Sequence, residues 1–169
     1  MNRFVYNVAM LAPWPETTTT PKDLNTSAWN NKVIYWLRGG VGIGHTQGDA
    51  LWHYNADLGQ NNGLWGAERD LFPMLLSQGF AILTSTGNVS DVQYNLKLHE
   101  ETAWMVKEHF KATYGFPEYT IGMGASGGAI QQYVIGQNDP SILDAGIPPY
   151  SCPDMITQAI DIGDCDLVM

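Results

Sequence analysis

Tyr119-Thr120-Ile121-Gly122-Met123-Gly124-Ala125-Ser126-Gly127-Gly128-Ala129-Ile130 decides how this chain folds. Tyr119 to Met123 reads as a short strand. A helix from about Gly128 to Ile135 follows and is broken by Asn138-Asp139-Pro140. The turn between them is short and rich in glycine, so it must be sharp. Gly124-Ala125-Ser126-Gly127-Gly128 fits G-x-S-x-G, the pattern that carries a serine on a strained strand-to-helix turn. Glycines two before and two after the serine let the strand and the helix pack closely. The helix N-terminus beneath the serine offers N–H groups and the positive end of a dipole to a developing oxyanion. Gly127, directly after the serine, supplies one such N–H. The competing structural reading is a tight turn whose serine simply caps the helix.

Working outward, strands and helices alternate. Arg3 to Leu11 reads as a strand that stops at Pro13-Trp14-Pro15, because proline cannot donate to a ladder. Lys32 to Leu37 is a continuous apolar, β-branched and aromatic run, suited to a strand buried on both faces. Ala67 to Gln78 reads as a helix ending at Gly79, with Pro73 against it. Phe80 to Thr84 is the next buried strand. Ser90-x-x-Gln93 reads as a capping box opening a helix that runs through Tyr114. Its apolar face is His99, Ala103, Val106, Phe110 and Tyr114, and Gly115 ends it. Ile142 to Pro148 is a last strand candidate. This order predicts a single α/β domain with a mainly parallel sheet flanked by helices.

A second loop fits the first. Arg38-Gly39-Gly40-Val41-Gly42-Ile43-Gly44-His45 leaves the strand at Lys32 to Leu37 with four glycines in seven residues. Such a loop lets backbone N–H groups reach a carbonyl oxygen without side-chain obstruction. Gly40 and Val41 are the expected donors beside Gly127. The bland alternative is a solvent loop with glycine-dependent turns. A sharper competitor is Gly122-x-Gly124-x-x-Gly127, which also satisfies a dinucleotide fingerprint, with Asp144 twenty-two residues beyond Gly122. That fingerprint belongs on the first strand of its unit, whereas three strands precede it here.

Composition removes other classes. The chain has 169 residues, 44% of them apolar and only 15% charged, which is enough to build a core. A formal charge of −9 and no Lys/Arg cluster argue against nucleic acid and anionic membranes as partners. No apolar run approaches a membrane span of ~18 residues. Met1 to Leu11 lacks the cleavage pattern of a signal peptide. No H-E-x-x-H or C-x-x-C spacing suggests a metal. Cys152 and Cys165 enclose twelve residues; they form one disulfide in an exported protein or remain two buried thiols.

The two loops, in this order, resemble the α/β-hydrolase superfamily. From Val33 to Val168 the chain is similar to a family of bacterial secreted α/β-hydrolases, on the segments R-G-G-V-G-I-G-H, Y-T-I-G-M-G-A-S-G-G and Y-S-C-P-D through D-C-D-L. Tannase-like and polyhydroxyalkanoate-oligomer esterases are more distant relatives by fold. The resemblance implies a secreted or periplasmic serine ester hydrolase. It would use Ser126 as nucleophile and Gly40, Val41 and Gly127 around the oxyanion. It would need no cofactor and act on a small or oligomeric ester. Those relatives tend to carry cysteine directly before the serine; Ala125 stands there in this chain, so no bridge ties the turn.

One departure is large. The family order is serine, acid, histidine. All four histidines, His45, His53, His99 and His109, precede Ser126, and none follows it. The strands that would carry the acid and the histidine are expected to lie beyond this sequence, making it the N-terminal part of a longer hydrolase. Within the chain, His45 in the glycine loop is the candidate for a site contact or base. Asp154, after the last strand, is the candidate acid. His99 and His109 read as surface or packing residues. Trp52, Tyr54 and Trp65 read as pocket wall or packing. Asp144, Asp161, Asp164 and Asp166 read as solvated or capping carboxylates. A non-catalytic binding domain on the same fold is the alternative from another class.

Overall fold

A computed structural model describes residues 3–13, 20, 23–40, 46–48, 67–151 and 153–154. Five strands, β1 (Tyr6–Ala9), β2 (Lys32–Arg38), β3 (Ala81–Val89), β4 (Tyr119–Met123) and β5 (Ala145–Ile147), form one sheet in the order β1-β3-β2-β4-β5. β1 runs antiparallel to β3, and the other three pairings are parallel. The helices are α1 (Ala67–Ser77), α2 (Leu96–Tyr114) and α3 (Gly127–Asn138). The chain is therefore an α/β protein with a mixed, mainly parallel sheet.

Strand alternation sorts the core into two layers. Val33, Tyr35 and Leu37 of β2 face α2 and α3, packing with Ala103, Val106, Phe110 and Ile135. Ile34 and Trp36 face the other way, toward Leu71, Phe72 and Leu75 of α1. Helices thus cover both faces, and the parallel strands all end at the same edge of the sheet. That edge carries Gly39 and Gly40 after β2 and the serine turn after β4.

The structure revises several element boundaries. The first strand is only Tyr6–Ala9, and β5 is only Ala145–Ile147. Ile142 and Leu143, expected in that last strand, instead plug the core ahead of it. β3 does not stop at Thr84 but runs to Val89, buried throughout. Its polar second half is tolerated because each group finds a partner. The Ser85 hydroxyl donates to the Val5 carbonyl, Val5 N–H donates to Thr86 Oγ1, and Asn88 accepts from Tyr35. Ser90 and Gln93 form no capping box. Asn95 caps α2, its Oδ1 accepting from the N–H groups of Lys97 and Leu98, while Gln93 Oε1 receives the Asn95 N–H. Of the expected buried face of α2, His99, Ala103, Val106 and Phe110 are buried and Tyr114 is half-buried against the same core. Pro73 sits inside α1 without ending it.

Candidate active site

Ser126 stands where β4 meets α3, at φ 56° and ψ −120°. A residue with a Cβ avoids this region, at a cost of about 1–3 kcal/mol, unless surrounding structure imposes it. The imposing contacts are on both sides. The Gly128 N–H donates to the Ala125 carbonyl at 2.8 Å, and Ala129 and Ile130 donate to the Ser126 carbonyl at 2.9 and 3.2 Å. Gln132 Nε2 donates to the carbonyls of Gly124 and Gly128, at 2.8 and 3.1 Å, and so grips the turn from within α3. On the β5 side, Ser126 N–H reaches the Pro149 carbonyl at 3.4 Å. The Ser126 side chain makes no capping hydrogen bond. The capping alternative is thereby removed: the hydroxyl is held on a strained turn without serving the helix.

The glycines of this turn are needed for contact with β2. A Cβ on Gly124 would lie 1.8 Å from the Leu37 carbonyl oxygen, and one on Gly128 would lie 2.0 Å from the same atom. That carbonyl is wedged between the strand end and the first turn of the helix. One residue further along, Gly39 runs against the turn itself; a Cβ there would meet the Ala125 carbonyl at 2.5 Å and the Gly127 nitrogen at 3.1 Å. Gly40, at φ +129°, places its carbonyl within 2.9 Å of where a Gly127 Cβ would stand. The two glycine segments singled out in the sequence are thus in backbone contact. Gly127 opens α3, so its N–H is among those that helix geometry leaves without an intrahelical acceptor.

The structure brings Ser126, Gly127 and Gly40 together. Val41, His45, His53, Trp52, Tyr54, Trp65, Cys152 and Cys165 lie outside the described residues, as do Asp161, Asp164 and Asp166. Asp154 is exposed on the segment after β5. His109 is exposed and stacks edge-on against Tyr6 of β1. His99 is sealed in the core, where Nε2 contacts the Gln93 carbonyl at 3.0 Å. Burial, only partly offset by that contact, pulls its pKa down to about 4.

The dinucleotide alternative fails on placement. Asp144 lies at the start of β4, where its carboxylate accepts the Thr120 N–H at 2.8 Å. The turn is at the far end of that strand, ~13 Å away at strand rise. The glycines offer no room either. A Cβ on Gly122 would strike Leu143, and one on Gly127 would strike Ser90 Oγ.

Several polar residues behind the site carry no motif that points to it, and Ser90 reads in the sequence as a helix cap. Asn88, Ser90 and Gln131 are buried, and so is the Tyr35 hydroxyl bonded to Asn88 at 2.9 Å. Burial raises the Tyr35 pKa well above its ordinary value, so the phenol stays a neutral donor. The Asp91 carboxylate lies against Gly40, within 2.5 Å of the space a Cβ would take. The usable sequence signal was Gln131-Gln132, two amides in an otherwise apolar helix. Among the described residues, no group of three or more His, Cys, Asp or Glu side chains is placed to hold a metal ion, and no helix is long and apolar enough to cross a membrane.

Compared with known proteins, residues 1–169 match the model of a tannase-like family of unknown function, DUF6351. No curated protein matches the chain.

Proposed function

The chain belongs to this tannase-like family of unknown function, and from that premise we propose that it is the nucleophile-bearing part of a serine hydrolase of carboxylic esters. The observation that carries the reading is Ser126 itself, at φ 56° on a strand-to-helix turn, with no capping bond and a glycine loop packed against it. Ser126 Oγ attacks the ester carbonyl carbon and its proton passes to a base. The carbonyl oxygen becomes an oxyanion facing the Gly127 N–H and a donor from the Gly40–Val41 segment, at the positive end of α3. Collapse breaks the bond to the alkoxy oxygen, which takes the proton and leaves. Water then releases the acid and restores the serine.

A hydroxyl needs a base to act as a nucleophile at neutral pH. With His99 in the core and His109 beside β1, we assign the base and its acid to sequence following Met169. His45 is the alternative within the chain. The Cys152–Cys165 bridge and export to an oxidising compartment remain part of the same proposal.

The test uses a fluorophosphonate probe and a small activated ester. The chain is expressed with and without the sequence that follows Met169 in its gene, each as wild type and as Ser126→Ala. The extended wild type should label at Ser126 and turn over. Ser126→Ala should cost about 10⁴–10⁶ in rate. An extended protein that neither labels nor turns over would leave a binding domain as the better reading. Turnover by the short chain that vanishes in Ser126→Ala would place the base inside it.

A further inference from the structure

Gln131 lies five residues after Ser126 on α3, fully buried and facing the exits of β2 and β3. Its Nε2 has three acceptors in reach: the Arg38 carbonyl at 3.1 Å, Ser90 Oγ at 3.2 Å and the Asn88 carbonyl at 3.3 Å. Its Oε1 accepts from Asn88 Nδ2 at 3.1 Å. The amide orientations are fixed by backbone. Asn88 Nδ2 also faces the His99 carbonyl at 2.9 Å, and a carbonyl can only accept. Asn88 therefore presents its N–H₂ to Gln131 Oε1, which turns Gln131 Nε2 toward the Arg38 carbonyl. Ser90 N–H donates to the same carbonyl at 3.2 Å.

Arg38 is the last residue before Gly39 and Gly40. Its peptide sets where the glycine loop departs, and Gln131 is bonded to that peptide from the helix that carries the Gly127 N–H. We propose that Gln131 is a positioning residue for catalysis: its amide fixes the spacing between the Gly40 side and the Gly127 side of the oxyanion site. It touches no substrate and acts through the Arg38 peptide. This rests on the serine-hydrolase reading above.

A side chain present only for stability would change folding and leave the split between kcat and KM alone. A positioning role predicts something narrower. Donors aimed at an oxyanion matter in the transition state more than in the ground state. Misplacing them should lower kcat with little change in KM, and a displacement near 1 Å can cost about 10²-fold. Gln131→Met keeps the length and removes the donors. Gln131→Glu keeps the shape but offers a donor only while the new carboxyl is protonated. Among the described residues, the charged or titratable ones joined to this amide or its partners are Arg38, Tyr35 and His99, and Asp91 adjoins Ser90 against Gly40. His99 presents its carbonyl to Asn88, and the Tyr35 phenol is neutral at any working pH. Buried among acceptors, the new carboxyl favours its protonated form as pH falls.

The experiment uses the protein extended past Met169 and follows labelling by the fluorophosphonate and steady-state turnover in its wild type, Gln131→Met and Gln131→Glu, with near-ultraviolet circular dichroism as the check on folding. The expected result for Gln131→Met is kcat down about 10- to 100-fold with KM within about threefold. For Gln131→Glu, the ratio of its kcat to that of wild type should rise as pH is lowered from 8 to 6. Wild type that fails to label overturns the serine-hydrolase reading and this proposal with it. Wild type that labels while Gln131→Met keeps kcat within twofold overturns the positioning role alone. If Gln131→Met does not fold, a Gln131→Glu ratio that is flat with pH overturns it.

Discussion

Two glycines of one helix should answer the same substitution with opposite signs. Gly128 stands in the first turn of α3, and an alanine Cβ there would lie 2.0 Å from the Leu37 carbonyl oxygen, where ordinary contact begins near 3.4 Å. About 1.4 Å must be opened between two pieces of backbone. Leu37 is fully buried in β2, which is paired on both sides, so the strand cannot yield alone. Overpacking in a core typically costs about 1–3 kcal/mol. With backbone on both sides of the clash, we expect about 4 kcal/mol, in the range reserved for named severe mechanisms. Gly136, two turns further on, is exposed with nothing within 4 Å of its would-be Cβ. Gly136→Ala should therefore stabilise by up to about 1 kcal/mol, the ordinary helix preference of alanine over glycine. Urea unfolding followed by tryptophan fluorescence reads both. Where Gly128→Ala still folds, fluorophosphonate labelling of Ser126 in the extended protein should be lost, because the β2 exit no longer seats against the turn. If the two variants differed by less than about 1 kcal/mol, the close approach of β2 to α3 would be refuted, with the reasoning built on it.

Acid should destabilise the fold through His99. Its pKa falls from 6.5 to about 4 on folding, so below pH 6.5 the unfolded chain takes up a proton that the folded chain refuses. Stability should fall between pH 6.5 and 4 by on the order of 3 kcal/mol from this group. His99→Gln should be less stable at pH 7 but show a flatter decline, and parallel urea midpoints for the two proteins across that range would contradict the assignment. Gly40→Ala should leave the fold standing and damage catalysis. Position 40 holds φ +129°, and the new Cβ would meet the exposed Asp91 side chain and not core backbone. A fall of about 10²-fold in kcat is expected in the active protein, and a change within threefold would remove Gly40 from the oxyanion site.

What was legible in the sequence was whatever local chemistry dictates. Lys32 to Leu37 announced a doubly buried strand because every residue after Lys32 is apolar, and the structure puts helices on both faces. Gly124 to Gly128 announced the serine turn because no other residue tolerates the Leu37 carbonyl so close. β3 was cut short because its second half is polar. Ser85 and Thr86 are satisfied by Val5, some eighty residues away, and no window along the chain can see such a partner. Ser90 mimicked a helix cap because spacing alone cannot tell a cap from a turn. Gln131 and Gln132 gave no motif at all. Their meaning lies in carbonyls of Arg38 and Gly124 that only the folded chain brings near.

The strand order has a consequence for the nascent chain. β2 lies between β3 and β4, yet the three leave the ribosome as β2, then β3, then β4. One edge of β2 is matched as soon as Ala81–Val89 emerges. The other waits through the whole of α2 for Tyr119–Met123. During that interval a row of unsatisfied peptide groups on an apolar strand is open to any neighbouring chain, the usual start of co-translational aggregation. The link between Arg38 and Gln131 spans 93 residues, and closing so long a loop is costly before its contacts reward it. In refolding, recovery of the serine's reactivity should accordingly track the last phase to complete, after helical signal and most tryptophan burial have returned.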